Sequence, residues 1–312
     1  MPDPELSASG EFGFIDWVRR QPAADARVLV GPGDDTAVVA WPAGADCLVT
    51  TDMLLEGSCF LLAEAGPRRV GRKAMAVNLS DIAAMAGRPH FAVVSVGLPR
   101  RGGRALAEEL YRGLRECAEA FGVAVIGGDT NSWDGPLTIS VTLLGSPTGR
   151  GPVLRRGARP GDWIMATGDF GGSILGKHLD FMPRVQEALT LHGLVELHAM
   201  IDVSDGLAQD LYHLCRESGC GAVLRAESIP IAAAAHASSD NQSPLDHALG
   251  DGEDFELLFA VTPEDGRRLL AEQPLGSVRL SHLGEFVDRG VWLESAGQRQ
   301  ELPPRGYVHR LE

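Results

Sequence analysis

Aspartates recur beside short apolar segments along this sequence. Asp34 and Asp35 directly follow Gly31–Gly33, and Asp52 follows the apolar run at 47–49. A turn that presents adjacent carboxylates suits a hard cation such as Mg²⁺, which prefers oxygen ligands. The alternative is an ordinary surface turn, because glycine and aspartate are common turn residues.

A further acid, Asp81, lies on the apolar side of a predicted helix at 70–87. Ala74, Val77, Asp81 and Ala84 recur at helical spacing and share one face. A carboxylate on that face is costly to bury unless something positive meets it. A buried arginine could meet Asp81, and so could a metal ion.

The same grouping returns further along the chain. Asp129 follows two glycines at the end of a predicted strand, and Asp202 and Asp205 flank Ser204 just before a predicted helix at 207–217. A helix start offers free N–H groups and the positive end of its dipole, which favour anions. Ser204 or Asp205 could cap that helix, but capping accounts for only one of the two acids.

Together these acids predict a pocket lined by carboxylates that holds several divalent ions and receives a triphosphate. The chain has only two lysines, Lys73 and Lys177, and neither stands in a GxxxxGK[ST] loop, so a P-loop is excluded. Phosphoryl transfer depends mainly on positioning and charge neutralisation, and the sequence requires no covalent nucleophile. The six acids are Asp35, Asp52, Asp81, Asp129, Asp202 and Asp205.

Composition limits the partners and the compartment. The 312 residues carry a formal charge of −14, which makes nucleic acid an unfavourable partner because the phosphate backbone attracts basic surfaces. The chain has no apolar run of membrane-spanning length and no secretory signal pattern. Its five scattered cysteines form no CxxC pair. We therefore expect a cytoplasmic protein without a disulfide framework.

Hydrophobic periodicity predicts an α+β fold. The glycine- and proline-rich segment 145–161 is the expected boundary between domains at 1–149 and 150–312, and 232–247 is predicted to be a loop. The arginines of 145–161 could lie in a solvated linker or contact phosphate. The predicted helices are 11–20, 70–87, 104–121, 184–198 and 207–217, and the main predicted strands are 91–98, 123–126, 137–144, 162–167, 255–261, 277–286 and 291–293.

Eight sequence blocks, taken together and in order, are specific. They are GPGDDTAVV, TTDMLLEG, RKAMAVNLSDIAAMAGRP, IGGDT, RRGARPGDWIMATG, IDVSDGLAQDL, GDGEDFELLF and GYVH. The chain resembles the thiamine-monophosphate kinase family over nearly its whole length. That family shares a superfamily with aminoimidazole ribonucleotide synthetase, selenophosphate synthetase and the hydrogenase-maturation dehydratase.

The resemblance implies a homodimer whose N-terminal domain binds ATP and Mg²⁺ and builds a β-barrel across the dimer, beside a C-terminal α/β sandwich domain. It implies direct in-line transfer from ATP to thiamine monophosphate, a small-molecule substrate, without a covalent enzyme intermediate. The implied Mg²⁺ ligands are Asp35, Thr50, Thr51, Asp52, Asp81, Asp129, Asp202 and Asp205. The implied ATP contacts are Gly128, Asp129, Arg155 and Ser204, and the implied substrate contacts are Cys59, Glu253 and Tyr307.

Two departures from the family pattern bear on the acceptor. Cys59 stands where the family often has histidine, and the segment after Gly168 is shorter than usual. A thiol cannot replace a charged or strongly hydrogen-bonding imidazole. The alternatives are therefore a sister phosphotransferase or synthetase with another small acceptor, and a non-catalytic sensor of MgATP.

Overall fold

The computed structural model describes residues 11–21, 25–32, 35–100 and 103–308. The chain separates into two compact units, one formed by 1–82 with 88–147 and the other by 83–87 with 148–312. None of the described helices is both long and apolar enough to cross a membrane.

The first unit, called here the N-terminal unit, combines a four-stranded sheet with two long helices. Its strands run in the order β3-β6-β4-β5, and only β4 and β5 are parallel. A separate hairpin joins β1 to β2. The elements are α1 (Glu11–Arg19), β1 (Val28–Val30), β2 (Val38–Val39), β3 (Leu48–Leu55), α2 (Leu62–Ala65), α3 (Pro67–Ala84), β4 (Arg88–Pro99), α4 (Gly103–Ala120), β5 (Ala124–Trp133) and β6 (Thr138–Ser146).

One face of this sheet forms the core of the unit. Strand β6 alternates apolar and hydroxyl residues, and its Ile139, Val141 and Leu143 are buried, as period-two patterning requires. Helix α4 buries Leu110 and Leu114 from its apolar stripe. The opposite face of the sheet leaves apolar side chains exposed.

Helices α3 and α4 approach each other backbone to backbone. A Cβ at Gly71 would lie 1.9 Å from the Leu110 carbonyl oxygen, and a Cβ at Gly113 would lie 1.8 Å from the Arg68 carbonyl oxygen. Only glycine fits at these two positions. The contact fixes α3, which carries Asp81, against the helix that covers the sheet.

The second unit, called here the C-terminal unit, contains a seven-stranded mixed sheet in the order β13-β12-β9-β11-β7-β10-β8. All its pairs are antiparallel except β12 with β9. The elements are β7 (Trp163–Thr167), α5 (Lys177–Asp180), α6 (Val185–Leu194), β8 (Ala199–Asp202), α7 (Leu207–Ser218), β9 (Gly221–Arg225), α8 (Ala233–Ala237), α9 (Pro244–Gly250), β10 (Leu257–Val261), α10 (Pro263–Glu272), β11 (Leu280–Val287), β12 (Val291–Ser295) and β13 (Gln298–Glu301).

Strand β10 of the C-terminal unit is apolar throughout because both of its faces are covered. All five residues of β10 are buried, and helix α7 adds Leu207, Leu211 and Leu214 to the same core. The predicted α+β fold is confirmed.

Three local predictions are wrong. Asp52 and Asp129 lie inside strands β3 and β5 rather than at strand ends, because polar residues continue the hydrogen-bonded ladder beyond the apolar runs. The segment 232–247 forms α8 and the start of α9 instead of a loop. Ser243 and Asp246 form a capping box that starts α9.

The third correction concerns the start of α7. Gly206 occupies the N-cap position and no side chain caps the helix there, so neither Ser204 nor Asp205 is the cap. The backbone N–H groups of both residues donate instead to the Asp210 carboxylate, which lies in the first turn of the helix. A side chain within the helix thus holds the backbone that leads into it.

Substituting Gly113→Ala should lower the free energy of unfolding by about 1–3 kcal/mol, because the added methyl group forces α3 and α4 apart. Urea unfolding measures the change. Gly193→Ala in α6 is the matched control, since nothing lies within 4 Å of its added Cβ. That control should leave stability unchanged or raise it by up to about 1 kcal/mol. Equal stability of Gly113→Ala and the wild type would contradict the backbone contact.

Candidate functional site

Strand β3 and helix α3 bring three of the predicted metal ligands together in the N-terminal unit. The Thr50 hydroxyl donates a hydrogen bond to the Asp81 carboxylate. Asp52 lies two residues after Thr50 on the same strand, so both side chains point to the face that α3 covers. Thr50, Asp52 and Asp81 are each partly buried. They form a small group of oxygen ligands.

Thr51 and Asp129 lie on the opposite face of the sheet. The Thr51 hydroxyl donates to the Val141 carbonyl oxygen at 3.2 Å and lies 3.0 Å from the Thr142 hydroxyl. The register of β5, β4, β6 and β3 places Asp129 on the same face as Thr51. The structure therefore divides the predicted ligands of this unit between two faces.

Asp129 also lines a cavity of about 530 Å³ in the N-terminal unit, and so does Asp35. Gly128 lies in the wall of this cavity, where a Cβ would stand 1.9 Å from the Val94 carbonyl oxygen. A side chain at that position is excluded. Asp34, which precedes Asp35 in the predicted turn, lies outside the described residues. The remaining wall is largely apolar, from α1, α4 and the adjoining strands.

Cys59 is half-buried in the connection between β3 and α2. Its carbonyl oxygen accepts a hydrogen bond of 2.7 Å from Lys73 Nζ, and the Lys73 side chain is buried. One of the two lysines therefore fixes the backbone at the position predicted to contact the acceptor.

In the C-terminal unit, the segment between β8 and α7 is organised around Asp210. Its Oδ2 atom accepts the backbone N–H groups of Ser204, Asp205 and Gly206 at 3.1, 3.0 and 3.1 Å. Burial, followed by the nearby charges of Asp202 and Asp205, raises the pKa of Asp210 to about 8. This surplus of negative charge is the kind that a divalent cation offsets.

Sequence reasoning missed Asp210. It considered only the apolar residues of 207–217, although an aspartate in the first turn of a helix is a recognised partner for free backbone N–H groups. Asp205, Asp210 and His213 each offer a ligand atom within 4.8 Å of the others. Burial and then the charges of Arg216 and Arg155 lower the pKa of His213, so Arg155 acts electrostatically on this region.

Two further loops meet the 203–206 segment. The Glu253 N–H donates to the Ser204 carbonyl oxygen at 2.7 Å, and the Tyr307 N–H donates to the Asp205 carbonyl oxygen at 2.9 Å. A Cβ at Gly306 would lie 2.3 Å from that Asp205 oxygen. Backbone contacts thus bring together four predicted residues from three separate parts of the sequence.

The predicted site residues therefore form groups within each unit. Asp202 is buried at the end of β8, Asp205 is half-buried, and Arg155 and Tyr307 are exposed. The assignment of individual roles, and the expectation that both groups serve one cleft, stay predictions.

The chain belongs to the AIR synthase related proteins. Residues 33–146 match the family model of their N-terminal domain, and residues 159–291 match that of their C-terminal domain.

Within that class, the chain belongs to the thiamine-monophosphate kinase family. It is 41% identical over 310 residues to the thiamine-monophosphate kinase of Rhodopirellula baltica, which covers 96% of this chain and 97% of the relative. The structure of thiamine-monophosphate kinase from Stenotrophomonas maltophilia K279a superposes with a TM-score of 0.80 at 31% identity, over 93% of this chain and 97% of that one. AaThiL complexed with AMPPCP and TMP gives a TM-score of 0.75 at 29% identity, over 99% of both chains.

Substituting Asp210→Ala should lower the free energy of unfolding by about 2–4 kcal/mol, because three N–H groups lose their acceptor. Asp210→Asn keeps an acceptor oxygen, so its free energy of unfolding should fall by less. Urea unfolding in the presence of a chelator measures both. Glu217→Ala on the same helix is the control, because its carboxylate forms only a surface pair with Arg216, and its expected effect is below about 0.5 kcal/mol. Equal losses for Asp210→Ala and Glu217→Ala would rule out the organising role.

Proposed function

We propose that this protein transfers the γ-phosphoryl group of ATP to thiamine monophosphate, giving ADP and thiamine diphosphate. The observation that carries the proposal is the match of nearly the whole chain to a thiamine-monophosphate kinase at 41% identity. A phosphate oxygen of the acceptor attacks the γ-phosphorus. The bond from that phosphorus to the β,γ-bridging oxygen breaks, and no enzyme side chain becomes phosphorylated.

The residues present fit magnesium. Around Thr50 and Asp81 the donors are carboxylate and hydroxyl oxygens, which hard cations prefer, and around Asp210 the carboxylates repel one another. We assign magnesium binding to both units, with Asp35, Thr50, Thr51, Asp52, Asp81 and Asp129 in one and Asp202 and Asp205 in the other. Bound magnesium supplies charge neutralisation for the transferring phosphoryl group.

The chain's own residues bind and orient the two substrates. Gly128 is assigned an ATP contact through its backbone, and Arg155 can donate two hydrogen bonds to phosphate oxygens. Ser204 adds a further ATP contact. On the acceptor side, the Glu253 carboxylate complements the cationic thiazolium, and Cys59 and Tyr307 complete the contacts. We assign binding of ATP and Mg²⁺ and dimerisation to the domain at 1–149, while Arg155 and Ser204 are ATP contacts from the domain at 150–312.

The direct test incubates purified protein with ATP and thiamine monophosphate, with and without Mg²⁺, and separates the products by chromatography. Thiamine diphosphate formed only with Mg²⁺ supports the proposal. If ATP is turned over only with another phosphorylated vitamin, that compound and not thiamine monophosphate is the acceptor. Tight MgATP binding without turnover of any acceptor would favour a sensor.

Substituting Asp81→Asn or Asp129→Asn should lower kcat/KM by about 100-fold or more, because each removes a negative charge that stabilises magnesium in the transition state. Steady-state kinetics at saturating Mg²⁺ measure the loss. Asp134→Asn is the matched control, since that side chain is 83% exposed and pairs with Arg100. Near-normal turnover of either variant would remove that residue from the ligand set.

A homodimer is the second part of the proposal. The uncovered face of the N-terminal sheet exposes Val49, Met53 and Val93, whose exposed fractions are 62%, 59% and 36%. Exposed apolar side chains on one face of a sheet are typical of an interface. The proposed partner is a second copy whose sheet closes a barrel with this one.

Substituting Met53→Asp should convert the dimer to monomer at micromolar concentration, because a carboxylate would be buried without a partner. Sedimentation velocity measures the mass. Ile174→Asp is the control, because Ile174 is equally exposed but belongs to the C-terminal unit. Dissociation by both variants, or by neither, would refute this interface.

A further inference from the structure

The loop that carries Glu253 continues into two buried acids. Asp254 and Glu256 have exposed fractions of 0% and 1%. Two cations meet them. Arg184 donates two hydrogen bonds of 2.8 Å to Glu256, and Lys177 Nζ lies 3.0 Å from Glu256 Oε1 and 3.8 Å from Asp254 Oδ1. We call these four residues the acid–base cluster.

Lys177 is the member that joins both acids. Its Nζ also donates to the Asp169 carbonyl oxygen at 2.8 Å, so it ties the glycine-rich turn that begins at Gly168 to the end of the Glu253 loop. The chain has only two lysines among its 28 basic residues. A compact ammonium with three donors can serve three acceptors here, whereas a planar guanidinium favours one bidentate partner.

The glycine-rich turn adds backbone contacts to the same loop. The Gly171 N–H donates to both oxygens of Asp254 at 3.1 and 3.0 Å, and the Gly172 N–H donates to Asp251 at 2.7 Å. The Ser173 hydroxyl donates to the Gly252 carbonyl oxygen. The glycine-rich turn therefore holds the buried side of the loop through these hydrogen bonds.

These contacts hold the Glu253 loop in an unfavourable backbone conformation. Glu253 and Phe255 have φ values of +64° and +51°. Residues other than glycine rarely adopt such values, and they persist only where the surrounding structure holds the backbone in place. The Glu253 and Phe255 N–H groups donate to the Ser204 and Val203 carbonyl oxygens. The two N–H groups thus bind the strained backbone of the loop to the 203–206 segment.

We infer that Lys177 is a positioning residue: by pairing with buried Asp254 and Glu256 it holds the strained loop that presents Glu253 to the acceptor. The part of this inference that concerns the acceptor rests on the proposed function, whereas the part that concerns the loop does not.

Loss of the ammonium leaves Asp254 buried without its cation. Burial raises the pKa of Asp254 to about 7 even though the ammonium group of Lys177 opposes the rise. Without Lys177 the carboxylate must take a proton or move towards water, and movement releases the backbone on either side of it.

The kinetic test compares Lys177→Met with the wild type. Its KM for thiamine monophosphate should rise about 10-fold while its KM for ATP changes less than about 2-fold, because Glu253 is the proposed acceptor contact, whereas the segment that carries Ser204 is held separately by Asp210. Tyr212→Phe is the control, since it removes a 2.7 Å hydrogen bond to the Leu302 carbonyl oxygen in the same unit. It should change neither KM. An equal rise of both KM values, or the same pattern in Tyr212→Phe, would overturn the inference.

The double variant Lys177→Met/Asp254→Asn tests the pairing itself. The amide keeps an oxygen for the Gly171 N–H but carries no charge, so KM for thiamine monophosphate should return to within about 3-fold of the wild type. Failure to recover would show that Lys177 does not act through Asp254. If neither variant folds, Lys177 is a stability residue and the positioning role is refuted.

Amide hydrogen exchange without substrates gives a readout that does not depend on activity. The Glu253 and Phe255 amides should exchange at least about 10-fold faster in Lys177→Met and be protected again in the double variant. Unchanged exchange would overturn the inference. If the wild type phosphorylates no thiamine monophosphate, the proposed function fails, yet the exchange data still decide whether Lys177 holds the loop.

Discussion

Mutual repulsion among carboxylates is the constraint that governs this structure. Buried or half-buried acids cannot remain ionised without compensation, and the chain compensates them in different ways. Asp210 is met by three backbone N–H groups, and Glu256 is met by Arg184 and Lys177. Asp81, one of the acids proposed to hold magnesium, accepts a hydrogen bond from the Thr50 hydroxyl.

Glycine determines how closely the functional segments can approach. Gly128 lies against the Val94 carbonyl oxygen, and Gly306 lies against the Asp205 carbonyl oxygen. In both places a methyl group would collide with backbone, so the contacts could not be made by moving a side chain. Main-chain contacts therefore hold together the segments that carry the candidate site residues.

Much of the fold could be predicted because periodic apolar residues decide it. Helices α3, α4 and α7 and strands β4, β6 and β10 follow directly from such patterns. Strands β3 and β5 were underestimated because their functional halves are polar, and Asp52 and Asp129 pair as strand residues all the same. The helices within 232–250 were missed because the evidence for α9 lies in a capping box, not in hydrophobicity.

The candidate site was only partly accessible from sequence. Aspartates beside glycines were recognisable as a group, and the family resemblance supplied roles for them. The organising function of Asp210 and the joining function of Lys177 depend on which N–H groups and carboxylates lie near them in space. Residues 205 and 307 meet through a backbone hydrogen bond, and no local pattern predicts a contact over that distance.

Strand β3 serves two purposes with alternate residues. Thr50 and Asp52 face helix α3, whereas Thr51 and Met53 face the uncovered side of the sheet. Inserting or deleting one residue before Thr50 would exchange the two sets, since a one-residue slip turns every side chain of a strand over. Residues proposed for magnesium binding and for dimerisation thus share the same eight-residue strand, and the neighbouring loops can change length far more freely than this strand.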